Sequence, residues 1–239
     1  MPPGAGATGT ARAARDVAVL VPAGGAGTRL GRRTPKQFLR LGGRPILWLT
    51  VARLARHPRV AAVIVAAPAA HVARCRRLLA GATGRRPLTV VPGGATRQES
   101  VWLALQAAPC DAEIVVVHDG VRPFVTPALV QRVVAAARAD GAALCALPIA
   151  DTVKRVREGA VAETLDRSEL WAVQTPQAFR QGLLREAHDK ARRDGFVGTD
   201  EAMLVERLGH VVRVVPGLES NLKITTPADL RRARTSDRR

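Results

Sequence analysis

The segment VAVLVPAGGAGTRLGRRTPK, residues 17–36, decides the fold of this chain. Its first part is a run of aliphatic residues bounded by a turn, which predicts a short buried strand over Val17–Ala23. A glycine-rich turn follows the strand directly. At the carboxyl end of a strand in a parallel sheet, such a turn lets backbone N–H groups close on the oxygens of a phosphate. The segment therefore predicts an α/β protein with an anion-binding loop after its first strand.

Two familiar phosphate-binding loops do not fit this turn. The P-loop needs a Gly-Lys pair, and none occurs in the chain. The dinucleotide fingerprint needs a third glycine where Leu30 stands and an acid about 20 residues further on, whereas residues 17–98 contain no Asp or Glu. What remains is a glycine loop followed closely by Arg29 and Lys36. Two cations beside a triphosphate would neutralise charge that develops on the attacked phosphorus and on the leaving pyrophosphate.

Further along the chain, apolar runs alternate with helical patterns. Besides the first strand, we expect strands at Ala61–Ala67, Leu88–Val91, Glu113–Val117 and Ala142–Ile149. We expect helices at Pro45–His57, Ala70–Leu79, Gln98–Ala108, Pro127–Ala139, Arg180–Arg192, Asp200–Leu208 and Pro227–Arg234. Three of these helices follow a threonine that can cap them, namely Thr126, Thr199 and Thr226. The alternation predicts βαβ units, and hence a Rossmann-like, mainly parallel sheet flanked by helices.

One segment interrupts the alternation. Asp151–Arg157 and Ala160–Asp166 flank Glu158-Gly159, which is the pattern of a β-hairpin. The hairpin is polar on both faces, and a two-stranded arm is not stable alone in water. Packing against a second copy of the chain and a mobile surface excursion both remain open on this pattern.

The composition places the chain among ordinary folded proteins. It has 239 residues, of which 47% are hydrophobic and 24% charged. We expect one domain over residues 16–235, with 151–170 as the arm, a disordered extension over 1–15 and a disordered tail over 236–239. No apolar run is long enough to cross a bilayer and no secretory signal is present, so we expect a cytoplasmic protein without a membrane partner. The three cysteines, Cys75, Cys110 and Cys145, are expected to be small buried residues.

The net charge of +17 invites a nucleic-acid partner. Against this, only four of the 37 basic residues are Lys, the chain has no Tyr and only four Phe, and no basic stripe is interleaved with aromatic residues that stack on bases. The acid-free stretch over 17–98 would attract a small phosphorylated ligand as well as a nucleic acid. We therefore expect no nucleic-acid partner, while a basic nucleic-acid-binding module stays as the alternative from another functional class.

The opening PAGGAGTRLGRRTPKQFLRLGGRPIL, residues 22–47, resembles the 2-C-methyl-D-erythritol 4-phosphate cytidylyltransferases of the non-mevalonate isoprenoid pathway. The glycine loop and a downstream Lys are shared with the wider superfamily of nucleotide-diphospho-sugar transferases, while Pro35-Lys36-Gln37-Phe38 is narrower. The resemblance continues in order through PGGATRQESV (92–101), HDGVRPFV (118–125), DTVKRV (151–156), LDRSELWAVQTPQAF (165–179), TDEA (199–202) and ESNLKITTPADL (219–230).

The resemblance implies transfer of a cytidylyl group from CTP to a sugar-alcohol phosphate, with release of pyrophosphate. Such a phosphate is already ionised at neutral pH, so the reaction needs no general base, and catalysis rests on positioning and charge. By the same resemblance, Arg29 and Lys36 stabilise the transition state on the CTP side. Arg167 and Lys223 hold the incoming phosphate.

The resemblance also implies binding sets for both substrates. For CTP the set is Pro22, Ala23, Gly24, Gly25, Gly27, Gly94, Ala95, Ser100, Asp119 and Gly120. For the acceptor it is Thr152, Arg167, Thr175, Thr199 and Lys223. Ser100 and Thr199 also fit plain helix-capping roles. His118 is expected to serve the loop by hydrogen bonding, and Arg122 either to meet a phosphate or to brace that loop.

The remaining implications concern metal, assembly and acceptor. The family implies Mg²⁺ or another divalent cation, for which Asp119 is the candidate ligand. It also implies a homodimer through the arm, in which Thr152 and Arg167 reach the partner's site. The family often has two alanines where Gly120-Val121 stand here, which puts a contact through residue 121 in doubt. A cytidylyltransferase for ribitol 5-phosphate is the closest alternative.

Overall fold

The computed structural model describes residues 15–24 and 35–236. Its strands are Val17–Pro22 (β1), Arg40–Leu41 (β2), Arg44–Pro45 (β3), Val60–Ala67 (β4), Leu88–Pro92 (β5), Ile114–Val117 (β6), Ala142–Pro148 (β7), Val153–Arg157 (β8), Ala160–Leu165 (β9), Trp171–Arg180 (β10) and Arg213–Pro216 (β11). Its helices are Ile46–Ala55 (α1), Val72–Leu78 (α2), Arg97–Gln106 (α3), Pro127–Asp140 (α4), Gln181–Arg193 (α5), Glu201–Glu206 (α6) and Pro227–Ser236 (α7), with 3-10 turns at Lys36–Phe38 and Ala69–His71.

A seven-stranded sheet in the order β11-β7-β10-β6-β1-β4-β5 forms the centre of the fold. β1 pairs in parallel with both β4 and β6, β4 with β5, and β7 with β11, whereas β10 runs antiparallel between β6 and β7. Each parallel pairing needs a crossover, which the intervening helices supply. The prediction of a Rossmann-like, mainly parallel sheet flanked by helices is confirmed.

The sheet buries both of its faces, which explains why β1 is aliphatic along its whole length. Val17, Val19 and Val21 point into a core shared with α1, α2 and α4, while Ala18 and Leu20 point into a core shared with α3, α5 and α6. All five side chains are fully buried. Each buried aliphatic side chain of the size of Val or Leu stabilises the fold by about 1.5–3 kcal/mol.

Four strands and one helix cap differ from the sequence prediction. The two-residue strands β2 and β3, which pair with each other, were not expected. β10 and β11 were not expected as strands, because β10 carries the polar run Gln174–Gln177 with a bulge inside it and β11 is short. The N-cap of α6 is Asp200 and not Thr199, since the Asp200 carboxylate accepts the Met203 N–H at 3.1 Å. Thr126 and Thr226 do cap their helices.

The cysteine prediction was partly wrong. Cys75 and Cys145 are buried, but Cys110 is exposed in the loop before β6 because it lies outside both cores. All three carry free thiols. Burial raises the pKa of Cys75 to about 11 and that of Cys145 to about 12, so both behave as small apolar residues.

The predicted hairpin is present as β8 and β9, which pair antiparallel in a small sheet of their own. Glu158 and Gly159 make its turn with φ values of 50° and 79°, and Gly159 meets this left-handed conformation without strain. Most side chains of the hairpin are exposed on both faces. The predicted extension over 1–15 and tail over 236–239 fall almost entirely outside the described residues, as do the glycines of the first loop after Gly24.

Candidate active site

A crevice opens where β1 and β6 lie side by side. In the sheet, β1 lies between β4 and β6. The chain continues from β1 to β4 on one side and later returns to β6 on the other side, so the strand order reverses between β1 and β6. In sheets of this kind, ligands bind beyond the carboxyl ends of the strands at such a reversal. Here those ends carry Pro22-Ala23-Gly24 after β1 and His118-Asp119-Gly120 after β6.

The first cavity in this crevice has a volume of about 380 Å³. It is lined by Pro22, Ala23, Gly24, Lys36, Gln37, Gly94, Ala95, Thr96, Arg97, Ser100, Asp119, Gly120, Val121 and Lys223. Every member of the expected CTP-binding set that the structure describes is therefore in one place. Gly25, Gly27 and Arg29 lie outside the described residues.

The second cavity adjoins the first and has a volume of about 240 Å³. Its walls are Arg97, Asp119, Arg122, Val173, Gln174, Thr175, Gln177, Thr199, Asp200 and Lys223. Thr175, Thr199 and Lys223, three of the residues expected to bind the acceptor, thus share this space. Arg97, Asp119 and Lys223 line both cavities, so the two spaces meet at these side chains.

The loop after β5 is shaped by glycines and by the start of α3. The Gly94 N–H donates to the Ser100 hydroxyl at 3.1 Å, and that hydroxyl donates to the Thr96 carbonyl at 2.8 Å. A Cβ atom on Gly93 would lie 2.9 Å from the Ser100 oxygen, and one on Gly94 would overlap the side chain of Glu99. Only glycine fits these positions without a shift of the neighbours. In this structure the Ser100 hydroxyl braces the loop.

Lys36 stands on a short 3-10 turn whose other residues are anchored. The Gln37 side-chain amide donates to the Ala23 carbonyl at 2.8 Å, which ties the turn to the end of β1. The Phe38 ring packs edge-on against His71, and the Arg74 guanidinium lies over it at 4.4 Å. These contacts fix the backbone from which Lys36 reaches the first cavity.

Asp119 is surrounded by cations. Its carboxylate lies 2.8 Å from Lys223 Nζ, 3.3 Å from Arg97 Nε and 3.6 Å from Arg122 Nε. Burial alone would raise the pKa of Asp119, but Arg97 and then Lys223 outweigh it and hold the pKa well below its ordinary value. The Asp119 N–H also donates to the Thr175 hydroxyl at 3.0 Å. The carboxylate is therefore charged and held on several sides.

Arg97 and Glu201 belong to this cluster, although neither was among the site residues expected from the sequence. Arg97 Nη1 donates to both carboxylate oxygens of Glu201, at 2.9 and 2.7 Å. Burial would lower the pKa of Arg97, but the carboxylates of Glu201 and Asp119 outweigh it and raise that pKa. The two partners are 104 residues apart in sequence. Arg97 lies in the motif PGGATRQESV and Glu201 in TDEA, both of which carry the family resemblance. The motifs do not show that these two side chains contact each other.

Thr152 and Arg167 are not part of either cavity. Both side chains are exposed beside the hairpin, and Arg167 donates a hydrogen bond to the carbonyl of Ala150. A single protomer therefore does not bring these two residues to the site. His118 and Arg122, in contrast, brace the loop after β6: His118 Nε2 is hydrogen-bonded to the Arg122 carbonyl, and Arg122 donates to the Asn221 carbonyl.

The surroundings of Asp119 do not fit a protein-held metal ion. Among the described residues, no three His, Cys, Asp or Glu side chains come together as a possible metal site. Both oxygens of the Asp119 carboxylate already face protein cations, so a divalent ion there would be repelled by them. Asp119 is better explained as a partner of Arg97 and Lys223 than as a metal ligand.

Comparisons with known proteins agree on one family. The sequence model of the 2-C-methyl-D-erythritol 4-phosphate cytidylyltransferases matches residues 17–237. The protein of that name from Syntrophotalea carbinolica is 46% identical over 90% of this chain and 93% of its own length. The one from Symbiobacterium thermophilum is 47% identical over 91% of each chain.

Solved structures give the same result. The crystal structure of the cytidylyltransferase from Thermus thermophilus has a TM-score of 0.77 and 39% identity, covering 94% of this chain and all of that one. The 4-diphosphocytidyl-2C-methyl-D-erythritol synthase from Anaerococcus prevotii has a TM-score of 0.82 and 29% identity, covering 94% and 99%. The ribitol and nucleic-acid alternatives are not favoured by these matches. With its two adjoining cavities and this match over nearly its whole length, the chain belongs to the 2-C-methyl-D-erythritol 4-phosphate cytidylyltransferase family, which transfers a cytidylyl group from CTP in the non-mevalonate pathway.

Proposed function

We propose that CTP occupies the first cavity, that 2-C-methyl-D-erythritol 4-phosphate occupies the second, and that they react at the boundary between the two. The observation that carries this proposal is that Arg97, Asp119 and Lys223 line both cavities. The reacting phosphates would then meet beside Lys223, close to the end of β6. Holding two reactants together in this way removes much of the entropic barrier to a bimolecular reaction.

The proposed reaction is an in-line displacement. An oxygen of the acceptor phosphate attacks the α-phosphorus of CTP, a new P–O bond forms, and the bond between that phosphorus and the bridging oxygen of the β-phosphate breaks. Pyrophosphate leaves with the electron pair. The attacking oxygen is already ionised, so no residue needs to remove a proton. His118 is consistent with this, because its ring is buried, hydrogen-bonded to a carbonyl, and has a pKa lowered by burial to about 4.

Fixed cations provide the stabilisation that this reaction requires. Lys36 faces the first cavity and would neutralise the triphosphate, while Lys223 stands where the acceptor phosphate would lie. Thr175 and Thr199 offer hydroxyl groups to the acceptor in the second cavity. The resemblance adds Arg29 to the CTP side as an expectation that the described residues do not test.

A homodimer would complete the acceptor site. Thr152 and Arg167 are exposed beside the hairpin, so a second copy that packs against it would bring them to a neighbouring cavity. Exposed apolar side chains support this proposal: Val156 and Val161 on the hairpin are 57% and 63% exposed, and Trp171 at the start of β10 is 42% exposed. Burying these side chains against a partner would be favourable.

A divalent cation would enter with the triphosphate in this proposal. Mg²⁺ prefers oxygen ligands and is commonly bound through substrate phosphates and few protein groups. We assign no residue of this chain to it. The cytoplasmic location likewise remains a prediction. Among the described residues, no helix combines the length and the apolar character that a membrane crossing needs.

Release of pyrophosphate tests the proposed function. The purified chain with Mg²⁺ should release pyrophosphate with CTP and 2-C-methyl-D-erythritol 4-phosphate, and at least ~10-fold more slowly with ATP, GTP or UTP, or with ribitol 5-phosphate as the acceptor. Faster turnover with ribitol 5-phosphate would show that this compound is the acceptor instead. Tight DNA binding, together with no effect of CTP and Mg²⁺ on the melting temperature, would instead support a nucleic-acid-binding module.

A further inference from the structure

Arg97 lies at the boundary of the two cavities, but it has no role in the proposed reaction as described above. It is the first residue of α3 and follows the loop after β5, in which Gly94 and Ala95 belong to the expected CTP-binding set. Its side chain is 30% exposed and lines both cavities. Its guanidinium group pairs with two carboxylates, and one of them, that of Glu201, is fully buried, so the position of Arg97 calls for an explanation.

The guanidinium group joins a buried carboxylate to the centre of the site. Nη1 is bound to both oxygens of Glu201 and Nε faces Oδ1 of Asp119. The other carboxylate oxygen of Asp119 faces Lys223 Nζ at 2.8 Å. Charges therefore alternate from Glu201 to Arg97, Asp119 and Lys223. In such a row, each charge fixes the position of the next one.

The far end of this row is anchored in the wall of the acceptor cavity. Glu201 is fully buried at the start of α6, directly after Thr199 and Asp200. The next residue on α3 binds the segment just before this wall: the Gln98 side chain donates to the Phe196 carbonyl at 3.0 Å and accepts the Gly198 N–H at 2.8 Å. The first turn of α3 thus fastens segment 196–201 to the loop that precedes the helix.

We infer that Arg97 is a positioning residue for cytidylyl transfer, which holds Asp119 and, through it, Lys223 at the boundary between donor and acceptor. The inference rests on the proposed placement of CTP and the acceptor in the two cavities. A guanidinium group can face two carboxylates at once with a fixed geometry, whereas an ammonium group cannot reproduce that fork. Loss of the fork would let Asp119 and Lys223 shift relative to the phosphates. A displacement of about 1 Å at a reacting centre can cost roughly 100-fold in rate.

The Arg97→Lys variant tests the inference, with Arg59→Lys as a matched control. Arg59 is 29% exposed and also pairs with a carboxylate, that of Asp16, but at the opposite end of β1. We expect Arg97→Lys to lower kcat about 10- to 100-fold at saturating substrates. The Kd of CTP, measured by calorimetry without acceptor, should change less than about 3-fold, because the loop after β5 that carries Gly94 and Ala95 stays intact. Arg59→Lys should keep kcat, whatever it does to the melting temperature.

Glu201→Gln is the second variant, in case Arg97→Lys fails to fold. It keeps the shape of the side chain and removes the charge that fixes Arg97, so kcat should fall in the same direction and the KM of the acceptor should rise more than that of CTP. Wild-type kcat in both folded variants would overturn the inference, as would an equal loss of kcat in Arg59→Lys. A large loss of CTP affinity in Arg97→Lys would also overturn it, because Arg97 would then be a nucleotide-binding residue. Failure of the wild-type protein to use CTP would instead contradict the proposed function.

Discussion

In the proposed reaction, single residues at this site act through fixed charge and not through proton transfer. Asp119 is kept ionised by its neighbours, with a pKa held well below its ordinary value, and it in turn holds Lys223. A lysine that is pinned in this way offers its charge to a phosphate without first being ordered. Preorganised charges of this kind are usually the largest contribution to catalysis of phosphoryl transfer.

Lys36→Ala tests the contribution of a single cation at the residue scale. We expect kcat to fall by roughly 100-fold or more, because a charge that stabilises the leaving pyrophosphate is lost. The melting temperature should change little, since Gln37 and Phe38 anchor the turn that carries Lys36. Steady-state pyrophosphate release measures kcat, and thermal unfolding measures the melting temperature.

Lys190→Ala is the control for this variant. Lys190 pairs with Asp194 on the surface of α5, away from both cavities. Its removal should leave kcat unchanged. Turnover of Lys36→Ala within about 2-fold of the wild-type value would remove Lys36 from the catalytic set.

Two short elements determine how the site is assembled. The first turn of α3 connects the glycine loop after β5 with the start of α6, so it joins the two cavities within one protomer. In contrast, the hairpin of β8 and β9 forms a small sheet of its own. It exposes Val156 and Val161, which are paired across its two strands. A two-stranded hairpin whose side chains are so exposed is expected to be stabilised by a partner.

Shortening the hairpin tests its proposed role in assembly. Val153 and Leu165 are paired neighbours, so a two-residue Asn-Gly turn can replace residues 154–164 without straining the main sheet. We expect a folded monomer by sedimentation velocity, with pyrophosphate release below about 1% of the wild-type rate. The loss follows because Thr152 and Arg167 no longer reach a neighbouring site.

A milder pair of substitutions tests the same role of the hairpin in assembly. Val156→Ser with Val161→Ser keeps the hairpin but removes its exposed apolar surface. Dimer dissociation should then occur at higher protein concentration than in the wild type, and the specific activity should fall with the dimer fraction. A fully active monomer in either case would disprove composite sites.

The two largest apolar cores of the molecule lie on opposite faces of one sheet. The second core contains α3 and α5, and His188 of α5 lies among its residues with no hydrogen-bond partner for either ring nitrogen in the described structure. Burial lowers the pKa of His188 to about 4, against an ordinary value of 6.5. The folded protein thus keeps this imidazole neutral where the unfolded chain protonates it.

This difference predicts a loss of stability in mild acid. As the pH falls from about 6.5 to about 4, the unfolded state gains a proton at His188 that the folded state does not bind, so the free energy of unfolding decreases; below that range this histidine adds no further change. The contribution is on the order of 3 kcal/mol. Urea unfolding of His188→Leu between pH 7 and 4 should show a correspondingly smaller decrease. His118, with a pKa also lowered to about 4, accounts for part of the decrease that remains.

His210→Leu is the control, because His210 is an exposed histidine outside both cores. It should lose stability with falling pH as the wild type does. If His188→Leu and His210→Leu have the same pH dependence, the buried His188 is not the source of the effect.

The sequence alone determined the parallel sheet, the loop after β1 and the family. Continuous aliphatic runs such as Val17–Val21 mark strands that are buried on both faces. The ordered motifs predict residues such as Lys36 and Asp119 as site residues, and both line the first cavity. These signals are local, because an aliphatic run and a glycine turn can each be recognised from neighbouring residues in the sequence. The expected CTP-binding set came from the family resemblance, and its described members line one cavity in the structure.

Only the tertiary structure revealed β10 as an antiparallel strand and Arg97 as the link between the cavities. The polar run Gln174–Gln177 lacks an aliphatic pattern because its side chains serve the second cavity, and its strand conformation depends on pairing with β6 and β7. Arg97 meets Glu201 across 104 residues of sequence. A charge pair of that separation has no periodicity and no spacing rule, since it exists only after two loops have been folded against the same edge of the sheet.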